Sequence, residues 1–262
     1  MEYSYQFTHA IVRKPAKSIN NGLRAVDIGK PNYDQMMLDH SDYVDALISA
    51  GAQIVELSPL EKYPDAQFVE DTALCLPEGV ILMRPGAPSR LGEVEAIAPK
   101  LKDLFKKVYK IDEPGHVEGG DILVTGKEIL IGRSARTDKS GVSQLSEIIN
   151  SMGYVLREVF TPPEILHFKT DCSLLAPDEI LTTKRLQASG CFDGYKVINV
   201  ADGEEAAANA IRFNDYVIMP AGFPKTKVIL EDHGYSVKEI NNSECAKLDG
   251  GMSCLSLRAN LL

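Results

Sequence analysis

One thiol, one imidazole and four carboxylates stand in short polar segments that recur along this chain. Glu70 and Asp71 fall in Phe68-Val69-Glu70-Asp71, and Glu118 and Asp121 in Val117-Glu118-Gly119-Gly120-Asp121. His167 opens His167-Phe168-Lys169-Thr170-Asp171, and Cys254 ends Asp249-Gly250-Gly251-Met252-Ser253-Cys254. A thiol becomes a nucleophile once its thiolate is favoured, which needs a partly open site or a basic partner such as histidine. The two glycines ahead of Cys254 let backbone approach closely, for a sharp turn or for a ligand. The alternating apolar residues Leu255 and Leu257 set the thiol at the mouth of a strand. Brought together, these groups could attack an electrophilic carbon, shuttle its protons and hold a cation.

The elements that must position them repeat about every 45 to 50 residues, a period typical of stacked supersecondary units. Each polar head leads into an apolar strand, a tight turn and a second apolar strand. Thr72–Leu76 and Val80–Met83 flank Pro77-Glu78-Gly79, and Ile122–Val124 and Glu128–Ile131 flank Thr125-Gly126-Lys127. Cys172–Leu175 and Glu179–Leu181 flank Pro177-Asp178, and Ala208–Ile211 runs through Asn214-Asp215 to Tyr216–Met219. Each reads as a hairpin. The fifth head, Gly250–Cys254, lacks a return strand, but His9-Ala10-Ile11-Val12-Arg13-Lys14-Pro15 resembles Ile81-Leu82-Met83-Arg84-Pro85 and can supply it. Pairing the termini removes two exposed sheet edges and closes a ring.

Helical spacing fills the intervals, at Tyr33–Ala50, Val94–Val108, Val142–Met152 and Pro224–Asp232, each followed by one more strand. The unit is ββαβ, five times over. The fold class is α/β, a five-bladed α/β-propeller closed by its termini. Residues 1–262 read as a single domain, since no Pro/Gly/Ser linker or charge run breaks them.

In a radial fold the strand starts face the axis, so the five heads should line one central pocket. Burying four carboxylates together costs several kcal/mol unless a cation or strong donors offset it. Guanidinium is a planar cation that matches carboxylate forks. A cysteine facing a held guanidinium would attack its central carbon, and a histidine would protonate the departing amine and then activate water.

Bulk properties exclude other classes. The chain has 262 residues, 44% of them hydrophobic, and a net charge of -9 without a long basic run. That argues against nucleic acid or an anionic membrane as partner. The stretch Met1–Phe7 lacks the layout of a secretion signal, and no apolar run approaches the roughly 20 residues that span a bilayer. Five cysteines, an odd number, read as free thiols in a reducing, cytoplasmic setting. With neither CxxC nor HExxH present, no metal and no cofactor is expected.

The ordered motifs Pro64–Asp71, Arg84–Arg90, Val117–Asp121, Ser134–Thr137, Leu166–Lys169 and Asp249–Cys254 resemble those of the dimethylarginine dimethylaminohydrolase family, bacterial members above all. That family lies in the guanidine-modifying pentein superfamily of five-bladed α/β-propellers. The resemblance implies hydrolysis of Nω-methylated arginines to citrulline and dimethylamine or methylamine, through a covalent thiouronium. It implies Cys254 as nucleophile, His167 as general acid and base, and Glu118 as the carboxylate that orients it. It further implies Asp71 and Glu70 on the guanidino group, Arg90 and Arg136 on the substrate carboxylate, and Ser253 beside the nucleophile. The α-amino group would fall to Asp65 and the main-chain carbonyls of Leu23 and Leu248. His116, Cys75, Cys172, Cys191 and Cys245 match no catalytic position. The partner is a small molecule, and a homodimer is left open.

Two rivals stand. An arginine deiminase of the same superfamily usually carries a helical insert after the first blade, whereas Gly86–Leu91 passes straight into the next helix here. A non-catalytic pentein that binds a partner would not need Cys254, His167 and Glu118 together.

Overall fold

A computed structural model of the chain describes residues 4–261; Met1–Tyr3, part of the amino-terminal stretch discussed above, and Leu262 lie outside them. Around the chain run β1 (His9–Arg13), α1 (Tyr33–Ser49), β2 (Gln53–Leu57), β3 (Ala73–Leu76), β4 (Gly79–Leu82), α2 (Leu91–Leu104) and β5 (Val108–Lys110). Next come β6 (Ile122–Val124), β7 (Ile129–Arg133), α3 (Lys139–Ser151), β8 (Leu156–Phe160), β9 (Cys172–Ala176), β10 (Glu179–Thr182), α4 (Lys184–Gln187) and β11 (Lys196–Asn199). The last are β12 (Ile211–Phe213), β13 (Tyr216–Pro220), α5 (Pro224–Asp232), β14 (Ser236–Ile240), α6 (Ser243–Ala246) and β15 (Leu257–Ala259).

The strands form five three-stranded sheets, ordered β15-β1-β2, β3-β4-β5, β6-β7-β8, β9-β10-β11 and β12-β13-β14. In each, the inner strand pairs antiparallel with the middle one, and the middle pairs parallel with the outer. A parallel pair needs a crossover, which is why a helix follows every middle strand. The middle strands read as unbroken apolar runs because they are covered on both faces; all four residues of β4 are buried. The termini close the ring as the sequence implies, His9 opposite Ala259 and Ile11 opposite Leu257.

Local chemistry sets the helix starts. Asn32 and Asp138 accept the third-residue N–H groups of α1 and α3, and Pro224 opens α5 where no N–H is needed. One crossover departs from the five-fold expectation: α4 is a single turn. Gly190 and Gly194, at φ 75° and 87°, turn the chain where the other units continue as helix. Asn214, at φ 54°, turns the β12–β13 hairpin, and its side chain bonds Phe7 and the Ala50 carbonyl, tying this blade to the closing one. The apolar core sits between blades, with Ile81, Ile129, Ile131, Leu145 and Ile149 all fully buried in one such seam. Among the described residues no helix is long and apolar enough to cross a membrane.

Candidate active site

Each inner strand is preceded by a short 3-10 turn: Val69–Thr72, Gly119–Asp121, Phe168–Thr170, Glu205–Ala208 and Ser253–Leu255. These turns are the heads read from the sequence, and they pack against one another around the axis. Gly119 shows how tightly: a Cβ there would lie 2.0 Å from the Glu70 carbonyl oxygen. Only a glycine lets those two turns meet.

On one side of the hub lies a cavity of about 150 Å³ walled by Cys254, His167, Asp71, Asp65, Arg90, Arg136, Leu23 and Leu248, with Phe68 and Leu166 as apolar wall. Eight of the eleven residues singled out from the sequence therefore meet in one place. Glu118 stands directly behind His167, its side chain fully buried.

The Cys254 sulfur accepts the Gly251 N–H at 3.4 Å and faces Asn209 Nδ2 at 3.9 Å. Burial first, then the charges of Glu70 and Asp71, push this thiol up to about 12. His167 Nε2 lies 2.6 Å from Glu118 Oε2. Burial works against a charged imidazole, yet Asp71, the Glu118 hydrogen bond and Asp121 together outweigh it and raise His167 to about 9. Burial likewise works against the Glu118 carboxylate, but His167, Arg90 and Arg136 hold it well below the usual range. Both shifts run toward the protonated forms, the thiol of Cys254 and the imidazolium of His167.

Asp71 accepts the Gly120 N–H at 2.9 Å and pairs with Arg90 Nη1 at 2.5 Å. Arg90 is deeply engaged: it also forks onto Glu93 and donates to the Phe68 carbonyl at 2.8 Å. Arg136 is half-buried, and its Nη1 lies 3.4 Å from Glu118 Oε1. Asp65 accepts the Leu23 N–H at 3.0 Å and so pins the loop over the cavity mouth, while Asp249 accepts the Ala25 N–H further along it.

Glu70 and Ser253 are placed differently. Glu70 pairs with Lys169 and Arg258, each at 2.8 Å, and accepts the Ser253 hydroxyl at 2.8 Å. This cluster borders a second cavity of about 100 Å³ that shares no lining residue with the first. The structure thus brings Asp71 to the cavity wall and leaves Glu70 in the floor behind the sulfur. Asp71, Glu118 and His167 offer ligand atoms within 4.8 Å of one another, a spacing a metal could use. Those atoms already serve Arg90 and the His167–Glu118 pair.

Sequence reasoning missed Glu93, Lys169, Arg258 and Asn209 as parts of this centre. Lys169 lies within the motif Leu166–Lys169, and Arg258 lies just beyond the motif that ends at Cys254. Their signal was the unbalanced carboxylates themselves, which demand buried cations.

The profile of the family described as arginine deiminase matches residues 34–216. The chain is 39% identical to N(G),N(G)-dimethylarginine dimethylaminohydrolase of Pseudomonas aeruginosa over 96% of its own length and 99% of that protein. It superposes on a structure of the P. aeruginosa enzyme, a cysteine-to-serine mutant complexed with citrulline, with TM-score 0.94 and 38% identity, covering 97% of this chain and 100% of that one. A second structure of a dimethylarginine dimethylaminohydrolase, a histidine-to-glycine adduct with S-methyl-L-thiocitrulline, gives TM-score 0.93 and 39% identity over 96% and 99% of the two chains. The ring of five blades, its cysteine-bearing cavity and these matches converge: the chain belongs to the dimethylarginine dimethylaminohydrolase family.

Proposed function

We propose that this chain hydrolyses Nω-methylated L-arginine to L-citrulline and methylamine or dimethylamine, with Cys254 forming a covalent thiouronium. The observation that carries the reading is one cavity holding a thiol, an imidazolium backed by Glu118, and the carboxylate of Asp71. The P. aeruginosa relative's citrulline complex supports the product class.

The resting charges give the order of events. The substrate guanidinium enters beside Asp71, and its positive charge offsets the carboxylates that keep the Cys254 proton in place. The thiol then ionises and the proton leaves to solvent. The thiolate adds to the guanidinium carbon, forming a C–S bond and a tetrahedral centre. His167, already protonated, gives its proton to the substituted nitrogen, and the C–N bond breaks to release the amine. The imidazole, now neutral, takes a proton from water as the water oxygen adds to the thiouronium carbon. Collapse breaks the C–S bond with its electron pair going to sulfur, the added hydroxyl passes its proton to the sulfur to restore the thiol, and the ureido group of citrulline is left. Glu118 keeps the imidazole oriented and stabilises its charged form throughout.

Arg136 and Arg90 supply positive charge for the substrate carboxylate, and Asp65 with the Leu23 and Leu248 carbonyls frames the α-amino group. Every one of these residues comes from a single chain. The five cysteines are free, which fits a reducing, cytoplasmic setting.

The test is stoichiometry. Wild-type protein given asymmetric dimethylarginine should yield equal amounts of citrulline and dimethylamine, and Cys254→Ser should yield neither while keeping its melting temperature. Turnover within tenfold of wild type in Cys254→Ser would remove the covalent route.

A further inference from the structure

Four of the five heads contribute a group to the chemistry: Asp71, Glu118, His167 and Cys254. The remaining one ends in Asn209, which caps the 3-10 turn Glu205–Ala208 and is 7% exposed. Its N–H closes that turn on the Ala206 carbonyl, and its other hydrogen bonds converge on the nucleophile's segment. Its main-chain carbonyl accepts the Met252 N–H at 3.3 Å, and its Oδ1 accepts the Ser253 N–H at 2.9 Å. Because Ser253 N–H can only donate, the amide oxygen is fixed on that side and Nδ2 must face the Cys254 sulfur, at 3.9 Å. The Gly251 N–H points at the same sulfur from 3.4 Å. Gly251 cannot be enlarged without displacing Asn209, since a Cβ there would lie 2.2 Å from Asn209 Cγ.

We propose that Asn209, together with the Gly251 N–H, forms a neutral two-donor cradle that stabilises the Cys254 thiolate, both before attack and when the sulfur departs from the thiouronium. This rests on Cys254 being the nucleophile. The charges around the site explain why the donor is an amide. The buried cations nearby are already committed, Arg90 to Asp71 and Glu93, and Lys169 and Arg258 to Glu70. A further cation aimed at the sulfur would repel an incoming guanidinium. An amide N–H stabilises an anion without carrying a charge of its own. In the closing step the C–S bond breaks with its electron pair going to sulfur. That pair then meets two N–H groups already in place.

The test is the pH dependence of iodoacetamide labelling at Cys254, followed by peptide mapping, in wild type, Asn209→Ala and Asn209→Asp. Ala removes both amide groups, whereas Asp keeps an oxygen for the Ser253 N–H and loses the N–H toward sulfur. Both variants should raise the labelling midpoint by about one pH unit or more, a shift equivalent to one lost hydrogen bond. Both should lower kcat about ten- to hundredfold with KM within about threefold. A role confined to anchoring Ser253 would slow labelling of Asn209→Ala at every pH without moving its midpoint. An unshifted midpoint in a variant that melts like wild type overturns the cradle. Should Asn209→Ala fail to fold, Asn209→Ser, which is neutral and keeps an oxygen for the Ser253 N–H while withdrawing the amide N–H from the sulfur, decides the question by the same midpoint, whereas in Asn209→Asp repulsion by the new carboxylate adds to the shift. Labelling needs no substrate, so this result is independent of turnover. Retained activity in Cys254→Ser would instead overturn the parent reading.

Discussion

His167 and Glu118 form a buried pair, Nε2 to Oε2 at 2.6 Å, in which the carboxylate has no exposed surface. The carboxylate acts on the imidazole together with Asp71 and Asp121, and among these it alone is hydrogen-bonded to the ring. Glu118→Gln keeps the shape and deletes the charge, so the His167 midpoint should fall from about 9 toward its ordinary 6.5. The leaving amine would then lack its acid at neutral pH, and the alkaline limb of kcat should move to lower pH. Titration of His167 by NMR in wild type and variant measures this directly; an unmoved midpoint would show that the pair is merely structural.

The same pair sets a pH window for stability. His167 has a raised folded value, so its contribution is complete below 6.5 and is lost as pH rises through about 9. Glu118 has a lowered folded value, so its contribution is complete above 4.5 and is lost as pH falls toward the lowered one. Both are complete between pH 4.5 and 6.5, and Glu118→Gln should lose most melting temperature there. A loss equal at pH 6 and pH 10 would contradict this assignment.

Cys254 should be a neutral thiol in the free protein and ionise when a guanidinium arrives. Ultraviolet thiolate absorbance should stay absent at pH 7.5 until an unreactive arginine analogue is added, with Cys254→Ser as the blank. Thiolate already present without ligand would mean that the nearby carboxylates do not govern the sulfur.

The two arginines should separate. Arg90→Ala strands Asp71 and Glu93 without their buried partner, a loss of about 3–5 kcal/mol that should appear as a lower melting temperature. Arg136 is more open and holds one long contact, so Arg136→Ala should leave melting nearly unchanged. Its effect should fall on KM, about ten- to hundredfold for substrate and little for an analogue lacking the α-carboxylate. Equal damage to both substrates would make Arg136 a structural residue.

The ring was legible because its signals are local: hairpin, turn and helix recur at one spacing, and a head without a return strand found that strand at the other terminus. The short α4 was less so, because Gly190 and Gly194 stop a helix only through their left-handed backbone. The chemistry-bearing heads were legible by residue type, but direction around the axis was not. Glu70 and Asp71 are adjacent, and a 3-10 turn sends one toward Lys169 and Arg258 and the other to the cavity. Asn209 escaped notice for a related reason: an asparagine after a turn usually satisfies backbone, and here it does so while also facing the sulfur.

The proposed activity turns on selectivity for the methylated guanidine. An unmethylated guanidinium brings extra N–H donors to a cavity with apolar wall at Phe68 and Leu166, and each donor left unpaired costs about 1–3 kcal/mol. A methyl group instead buries apolar area, favourable by about 0.8 kcal/mol. The deciding measurement is citrulline formation at subsaturating arginine, monomethylarginine and asymmetric dimethylarginine in one buffer. At least one methylated substrate should exceed arginine in kcat/KM by about tenfold or more. Equal rates, or a preference for arginine, would contradict the account and make this chain a compact arginine hydrolase.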